Sequence, residues 1–138
     1  MRIMAIDFGD AHTGIAISDP TGLLAGFTTV INSRRQEVVV EQVAALAKEH
    51  GAEELVLGHP VNMDGTLGPR SEKAKAMKVL LEEATSLPVV LWDERRTTID
   101  AHNILFNSGK NAKQRKKVVD AVAASLILEG YLTFKKSH

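Results

Sequence analysis

Residues Met1–Ser18 read MRIMAIDFGDAHTGIAIS, which is two apolar runs around a polar turn that contains glycine. Ile3 to Phe8 is almost entirely apolar, as expected of a central strand buried on both faces. Gly14 to Ser18 is a second short apolar run, and Leu23 to Ile31 is a third. Because parallel pairing needs a long crossover, these short connections predict an antiparallel meander of three strands.

Helical and strand patterns alternate after the meander. Their order predicts one α/β domain over residues 1–138, a five-stranded mixed sheet with three antiparallel strands, then two parallel ones, and helices on both faces. Right-handed crossovers place the fourth strand beside the first and the fifth outside it. The predicted helices cover residues 36–50, 71–85, 97–106 and 113–134, and the predicted strands cover 54–58 and 88–92.

The helical periodicity also predicts which faces are buried. The first helix presents Val39, Val43, Leu46 and Ala47 and stops at Gly51; the second presents Ala74, Met77, Leu80, Leu81 and Ala84; the last presents Val119, Val122, Ala123, Leu126 and Ile127.

Composition excludes several classes of protein. Seventeen basic and seventeen acidic residues cancel, so nucleic-acid binding requires a local asymmetry of charge. The chain has no cysteine, which excludes disulfides, zinc thiolate sites and cysteine nucleophiles. No apolar run is long enough to span a membrane or serve as a signal sequence. We therefore expect a cytoplasmic protein without a membrane partner.

Three acidic residues stand in apolar surroundings. Asp7 ends the first strand, Glu94 follows the fifth strand, and Asp120 lies among small residues of the last helix. The predicted topology brings Asp7 and Glu94 to one edge of the sheet, where ligands of such folds gather. Converging carboxylates favour Mg²⁺ or Mn²⁺, and two such ions can clamp the attacking and leaving oxygens of a phosphodiester.

Each acid also has a purely structural interpretation. Asp7 could shape a turn before Gly9, Glu94 could pair with a neighbouring arginine, and Asp120 could pair with Lys116 one helical turn away. The common edge of the sheet favours the metal site over three separate structural roles.

Candidate phosphate contacts surround the acids. Gly9 exposes the backbone at a strand end, where amide groups can approach an anion. Asn62 lies in the loop that follows the fourth strand and is a candidate substrate contact. His59, in the same loop, is a candidate base. Basic residues Arg70, Arg95 and Lys116 are predicted near the same edge. A tight hairpin at Gly9 and an Asx-turn at Asn62 are the structural alternatives.

Four motifs in this order resemble the YqgF-type Holliday-junction-resolvase-like proteins, a family of nucleases of precursor 16S rRNA. They are Asp7-Phe8-Gly9 with Gly14-Ile15-Ala16, Gly58 with Pro60 and Asn62-Met63-Asp64-Gly65, Asp93-Glu94-Arg95 with Thr97-Thr98, and Asp120-Ala121-Val122-Ala123-Ala124 with Ile127-Leu128.

The resemblance implies a ribonuclease-H-like fold and a divalent-metal nuclease that acts on the 5′ end of precursor small-subunit rRNA, with the ribosomal subunit as a partner. It implies Asp7, Glu94 and Asp120 as metal ligands and a phosphate contact at Arg95. His12 stands where the family usually has arginine or lysine, and His59 where it usually has leucine. Because histidine carries charge only at lower pH, we expect phosphate binding at His12 to depend on pH.

The sequence is compatible with two other functions. A resolvase of branched DNA would use the same chemistry and would need two active sites, hence a dimer. A non-catalytic RNA-binding factor of ribosome assembly could share the scaffold, because a fold does not determine a function.

Overall fold

A computed structural model describes residues 2–19, 25–59, 68–93 and 112–137. Its strands are β1 (Arg2–Asp7), β2 (His12–Ser18), β3 (Ala25–Asn32), β4 (Ala52–His59) and β5 (Val89–Asp93). Its helices are α1 (Gln36–His50), α2 (Pro69–Thr85) and α3 (Ala112–Ser137). The helix predicted over 97–106 lies outside the described residues.

The strands form a five-stranded sheet in the order β3-β2-β1-β4-β5. β1 pairs antiparallel with β2 and parallel with β4, and β4 pairs parallel with β5. The predicted mixed sheet and its strand order are therefore confirmed. β1 lies at the centre, so its residues pack on both faces, which explains its nearly continuous apolar sequence.

The core has two halves, one on each face of the sheet. Met4 and Ile6 of β1 pack with α1 and α2, whereas Ile3 and Ala5 pack with α3. Because strand side chains alternate between faces, the two halves follow from the period-two pattern of one strand. The face that α3 covers also holds Trp92, whose ring makes an edge contact with Tyr131 at a centroid distance of 5.8 Å.

The first predicted helix is confirmed at both ends. Val39, Val43 and Ala47 are buried, and Gly51 ends α1 with a φ of 68° in the left-handed region. Its backbone N–H caps carbonyls of the last turn, which glycine does without the cost that a Cβ imposes there.

Other boundaries and faces differ from the predictions. β2 begins at His12, two residues early, because His12 and Thr13 pair with β3 despite their polarity. β4 likewise extends beyond 54–58 at both ends, since Ala52 pairs with Arg2 and His59 with Asp93. Leu80 was predicted in the core but is 36% exposed on α2.

The buried face of α3 is also offset from the prediction. The residues that pack on the sheet are Ala124, Ile127, Leu128, Tyr131 and Leu132, whereas Leu126 is half-buried. The adjacent apolar residues Leu126, Ile127 and Leu128 fit more than one helical stripe, and the packing of Tyr131 against Trp92 selects this one. None of the described helices combines the length and apolarity that crossing a membrane requires.

Candidate active site at the carboxyl edge of the sheet

The carboxyl ends of the parallel strands β1, β4 and β5 meet at one edge of the sheet. In register, Ile6 lies beside Leu57, Leu57 beside Leu91, and His59 beside Asp93. The turn that joins β1 to β2 rises from the same edge. Ligand sites of open α/β sheets occur at such an edge, where loops can surround a substrate.

Asp7 is the last residue of β1 and is half-buried at this edge. It continues the series Ile3 and Ala5, whose side chains pack with α3, so strand alternation assigns Asp7 to the face that α3 covers. Its antiparallel partner on β2 is Gly14, which has no side chain. The carboxylate therefore lies on the same side of the sheet as the helix that carries Asp120.

The described side chains hold only one of the three predicted carboxylates. Glu94 follows the last residue of β5 and lies outside the described residues, as do Asn62 and Arg95. Asp120 and Lys116 belong to α3, which the structure describes at these positions as backbone. Among the described residues, no three histidine, aspartate or glutamate side chains form a group that could hold a metal ion.

Gly9 and His12 shape the turn next to Asp7. A Cβ atom at Gly9 would collide with the backbone carbonyl oxygen of His12, so glycine is required for the chain to close here. Nδ1 of His12 donates a hydrogen bond of 2.6 Å to Oδ1 of Asn32 on β3. The turn is thus a tight hairpin, the structural alternative of the sequence analysis, and it lies beside the predicted catalytic carboxylate.

The α2 side of the edge holds two further residues that the sequence analysis singled out, His59 and Arg70. His59 ends β4, and its Nε2 lies 2.5 Å from Oγ of the buried Ser71 in the first turn of α2. This hydrogen bond engages one nitrogen of the ring that the sequence suggested as a base. Arg70, predicted to bind phosphate, is exposed in the same turn, beside a small groove that also borders Phe8 and Gly58.

Sequence reasoning missed Asp10 and Lys73 at this groove. Lys73 Nζ lies 3.4 Å from Asp10 Oδ1, and the pair joins α2 to the β1–β2 turn. The two residues are 63 positions apart, and Lys73 lies on a charged helical face that reads as ordinary solvated surface. No sequence signal distinguishes it from its neighbours.

The family follows from a comparison of the whole chain with known proteins. A family model described as RuvX, Holliday junction resolvase, matches residues 1–134. The chain belongs to the RuvX family. The predicted resemblance and the predicted nuclease class are thereby confirmed.

RuvX relatives align over nearly their whole length. The protein named "Putative pre-16S rRNA nuclease" of Halothermothrix orenii is 42% identical over 135 residues, covering 98% of this chain and 96% of the relative. The protein of the same name from Geobacillus kaustophilus is 41% identical over 138 residues, with coverage of 99% and 100%.

A solved structure supports the fold of this RuvX chain at much lower identity. Thermus thermophilus RuvC in complex with a Holliday junction substrate has a TM-score of 0.64 and 12% identity, with coverage of 99% of this chain and 96% of that one. The likeness confirms the predicted ribonuclease-H-like fold.

Proposed function

We propose that this RuvX chain is a divalent-metal-dependent endonuclease that cleaves phosphodiester bonds at the 5′ end of precursor 16S rRNA during maturation of the small ribosomal subunit. In this proposal residues 1–138 form one nuclease domain, which acts in the cytoplasm, where bacterial rRNA matures. The printed names of the relatives support the substrate. The observation that carries the proposal is the position of Asp7, at the carboxyl end of the central strand and on the α3 side of the sheet.

Asp7, Glu94 and Asp120 are the proposed ligands of Mg²⁺ or Mn²⁺. Asp120 belongs to α3, the helix that covers the same side of the sheet as Asp7. β5 ends at Asp93, at the same edge of the sheet as the end of β1, and Glu94 is the next residue in the sequence. Three carboxylates are hard oxygen ligands of the kind that these ions prefer. When bound, the metal supplies a Lewis acid for phosphodiester hydrolysis.

The remaining proposed residues bind and orient the substrate. Gly9 is proposed to contact a phosphate through the backbone of the turn. His12, whose Nδ1 donates a hydrogen bond to Asn32, is proposed to donate from Nε2 to a phosphate oxygen when the imidazole is protonated. Asn62 is proposed to bind substrate through its amide. Arg70, Arg95 and Lys116 are proposed to neutralise the backbone charge of the nucleic acid.

Replacing Asp7 tests the proposal directly. We expect Asp7→Asn to lower the rate of precursor cleavage by about 100-fold or more, because the substitution removes one anionic ligand and keeps the shape of the side chain. The assay measures cleavage of precursor 16S rRNA with Mg²⁺, with Mn²⁺ and with a chelator, and the chelator should abolish cleavage by the wild-type protein. Cleavage by Asp7→Asn at the wild-type rate would refute the assigned site.

Glu53→Gln is the matched control. Glu53 is an exposed carboxylate near the opposite, amino end of β4, so its neutralisation changes the net charge equally without touching the carboxyl edge. We expect it to cleave at the wild-type rate.

Branched DNA is the second candidate substrate, which the description of the family model and the junction complex of the RuvC neighbour favour. Symmetric resolution of a four-way junction needs two active sites, hence a dimer. A parallel assay with a synthetic DNA junction, combined with light scattering, separates the two substrates. Cleavage of the junction by a dimer, together with no cleavage of precursor rRNA, would favour the resolvase.

A further inference from the structure

A small groove lies on the α2 side of the carboxyl edge, on the opposite face of the sheet from α3. Its lining consists of Phe8, Asp10, Gly58, Arg70, Lys73 and Ala74. Phe8 packs against the core half that α1 and α2 cover, whereas Asp7, one residue earlier, belongs to the α3 side. The edge is therefore two-sided, with the predicted catalytic carboxylate on one side and two cationic side chains on the other.

Lys73 differs from the other paired lysines of α2. Lys75 and Lys78 pair with Glu72 and Glu82 of their own helix, at 3.7 and 3.0 Å. Lys73 instead reaches across the groove to Asp10 in the β1–β2 turn, at 3.4 Å. Its ammonium group thus lies over the groove and next to the turn that follows Asp7.

The Lys73–Asp10 pair is open to exchange with another anion. The Lys73 side chain is 61% exposed and that of Asp10 is 76% exposed. Solvated pairs of this kind contribute little to folding stability, so a phosphate can replace the carboxylate without a large cost to the protein. Among the described residues that line the groove, Asp10 is the only acidic one.

We propose that Lys73, together with Arg70, binds a backbone phosphate of the nucleic-acid substrate on the α2 side of the edge, and that this phosphate displaces the carboxylate of Asp10. The inference rests on the proposed nuclease function and extends it, because it routes the substrate across the edge from the acidic α3 side to the basic α2 side. Asp10 then acts as an internal competitor, which occupies Lys73 in the free protein and repels the incoming phosphate.

The proposal predicts that replacing Lys73 and replacing Asp10 change the affinity for nucleic acid in opposite directions. Lys73→Gln removes one phosphate contact, so binding should weaken about three- to tenfold at moderate salt, and the slope of log Kd against log salt should fall by about one. Asp10→Asn removes the competitor, so binding should tighten. A purely structural tie between α2 and the turn predicts instead that both substitutions weaken binding.

The experiment measures binding of the full-length variants to a fluorescent RNA hairpin and to a four-way DNA junction, with chelator present, over a series of salt concentrations. Lys75→Gln is the matched control, since it removes an equal charge from the same helix away from the groove. Lys73→Arg should restore the salt slope, because it keeps the charge. A cooperative thermal unfolding transition, measured for each variant, is the check that the variant is folded.

The outcomes separate the inference from the proposed function. Weaker binding for Lys73→Gln, tighter binding for Asp10→Asn and an unchanged Lys75→Gln support the inference. Equal effects of Lys73→Gln and Lys75→Gln, or weaker binding for Asp10→Asn, overturn the inference while the nuclease proposal stands. Failure of the wild-type protein to bind either probe overturns both.

Discussion

The Thr13 hydroxyl is fully buried, and Oγ1 has no hydrogen-bond partner within the described part of the chain. A buried hydroxyl without a partner loses its hydration and gains nothing in return. We expect Thr13→Val, which replaces the hydroxyl by a methyl group, to raise the free energy of unfolding by about 1 kcal/mol. Urea unfolding at neutral pH measures the change. Destabilisation by Thr13→Val would show that the hydroxyl has a partner that matters to folding.

Gly9 is the residue at which local geometry and the site depend on each other. We expect Gly9→Ala to cost about 1–3 kcal/mol and to lower nuclease activity even where the protein remains folded, because the added Cβ must displace the backbone at His12 beside Asp7. Chemical unfolding and precursor cleavage, measured on the same preparation, test both effects.

Gly51→Ala is the control for this prediction. Nothing lies within 4 Å of a Cβ at Gly51, so the cost is the strain of a positive φ, about 1–2 kcal/mol. Gly51 ends α1, away from the carboxyl edge, and activity should be kept. Full activity of Gly9→Ala would mean that the turn can move without disturbing the site.

The helix α3 is held to the sheet by a polar cluster as well as by its apolar face. The Tyr131 hydroxyl donates a hydrogen bond to Oε1 of Glu54 on β4, and Lys135 Nζ lies 2.8 Å from Oε2 of the same carboxylate. Because Glu54 is only 9% exposed, the loss of one donor leaves a buried charge partly unsatisfied. We expect Tyr131→Phe to cost about 2 kcal/mol at neutral pH, measured by urea unfolding.

The same contact predicts how the difference in unfolding free energy between the wild-type protein and Tyr131→Phe changes with pH. Burial, and then the hydrogen bond to Glu54, raise the pKa of Tyr131 above its ordinary value of about 10. The folded state therefore favours the neutral phenol, so the contribution to stability is complete below about pH 10 and is lost as the pH rises above it. The difference in unfolding free energy between the wild-type protein and Tyr131→Phe should therefore decrease above about pH 10. Because the chain has one tyrosine, tyrosinate absorbance follows this group alone. A gap that stays constant would contradict the buried contact.

At the scale of the whole molecule, the sheet sorts the candidate residues by face. Asp7 and the helix that carries Asp120 share one side of the sheet, and Arg70 and Lys73 share the other. One strand achieves this sorting, because consecutive residues of β1 point to opposite faces. A substrate that contacts both groups has to cross the carboxyl edge, and the salt dependence of Lys73→Gln tests that path.

Local patterns in the sequence were enough to predict the order of strands and helices and the position of Asp7. Burial in β1, β4, β5 and α1 follows the strand or helix periodicity of each segment. Short stretches of sequence are therefore enough to predict it. Handedness of the crossovers then determines the strand order with little freedom. The three metal-ligand assignments and the candidate phosphate contacts stay proposals, with Glu94, Asn62 and Arg95 outside the described residues.

Only the tertiary structure decided which polar residues pair across the chain. β2 extends to His12 because this residue pairs with β3. The face that α3 buries is selected by the contact of Tyr131 with Trp92. The Lys73–Asp10 pair joins residues that no local sequence pattern connects. Burial of a helical stripe requires an apolar residue at each of its positions, so the stripe can be recognised in the sequence. An exposed ion pair contributes little free energy and imposes no such requirement on the neighbouring residues. For that reason the sequence predicted Arg70 at the carboxyl edge, but the position of Lys73 and its pairing with Asp10 became visible only in three dimensions.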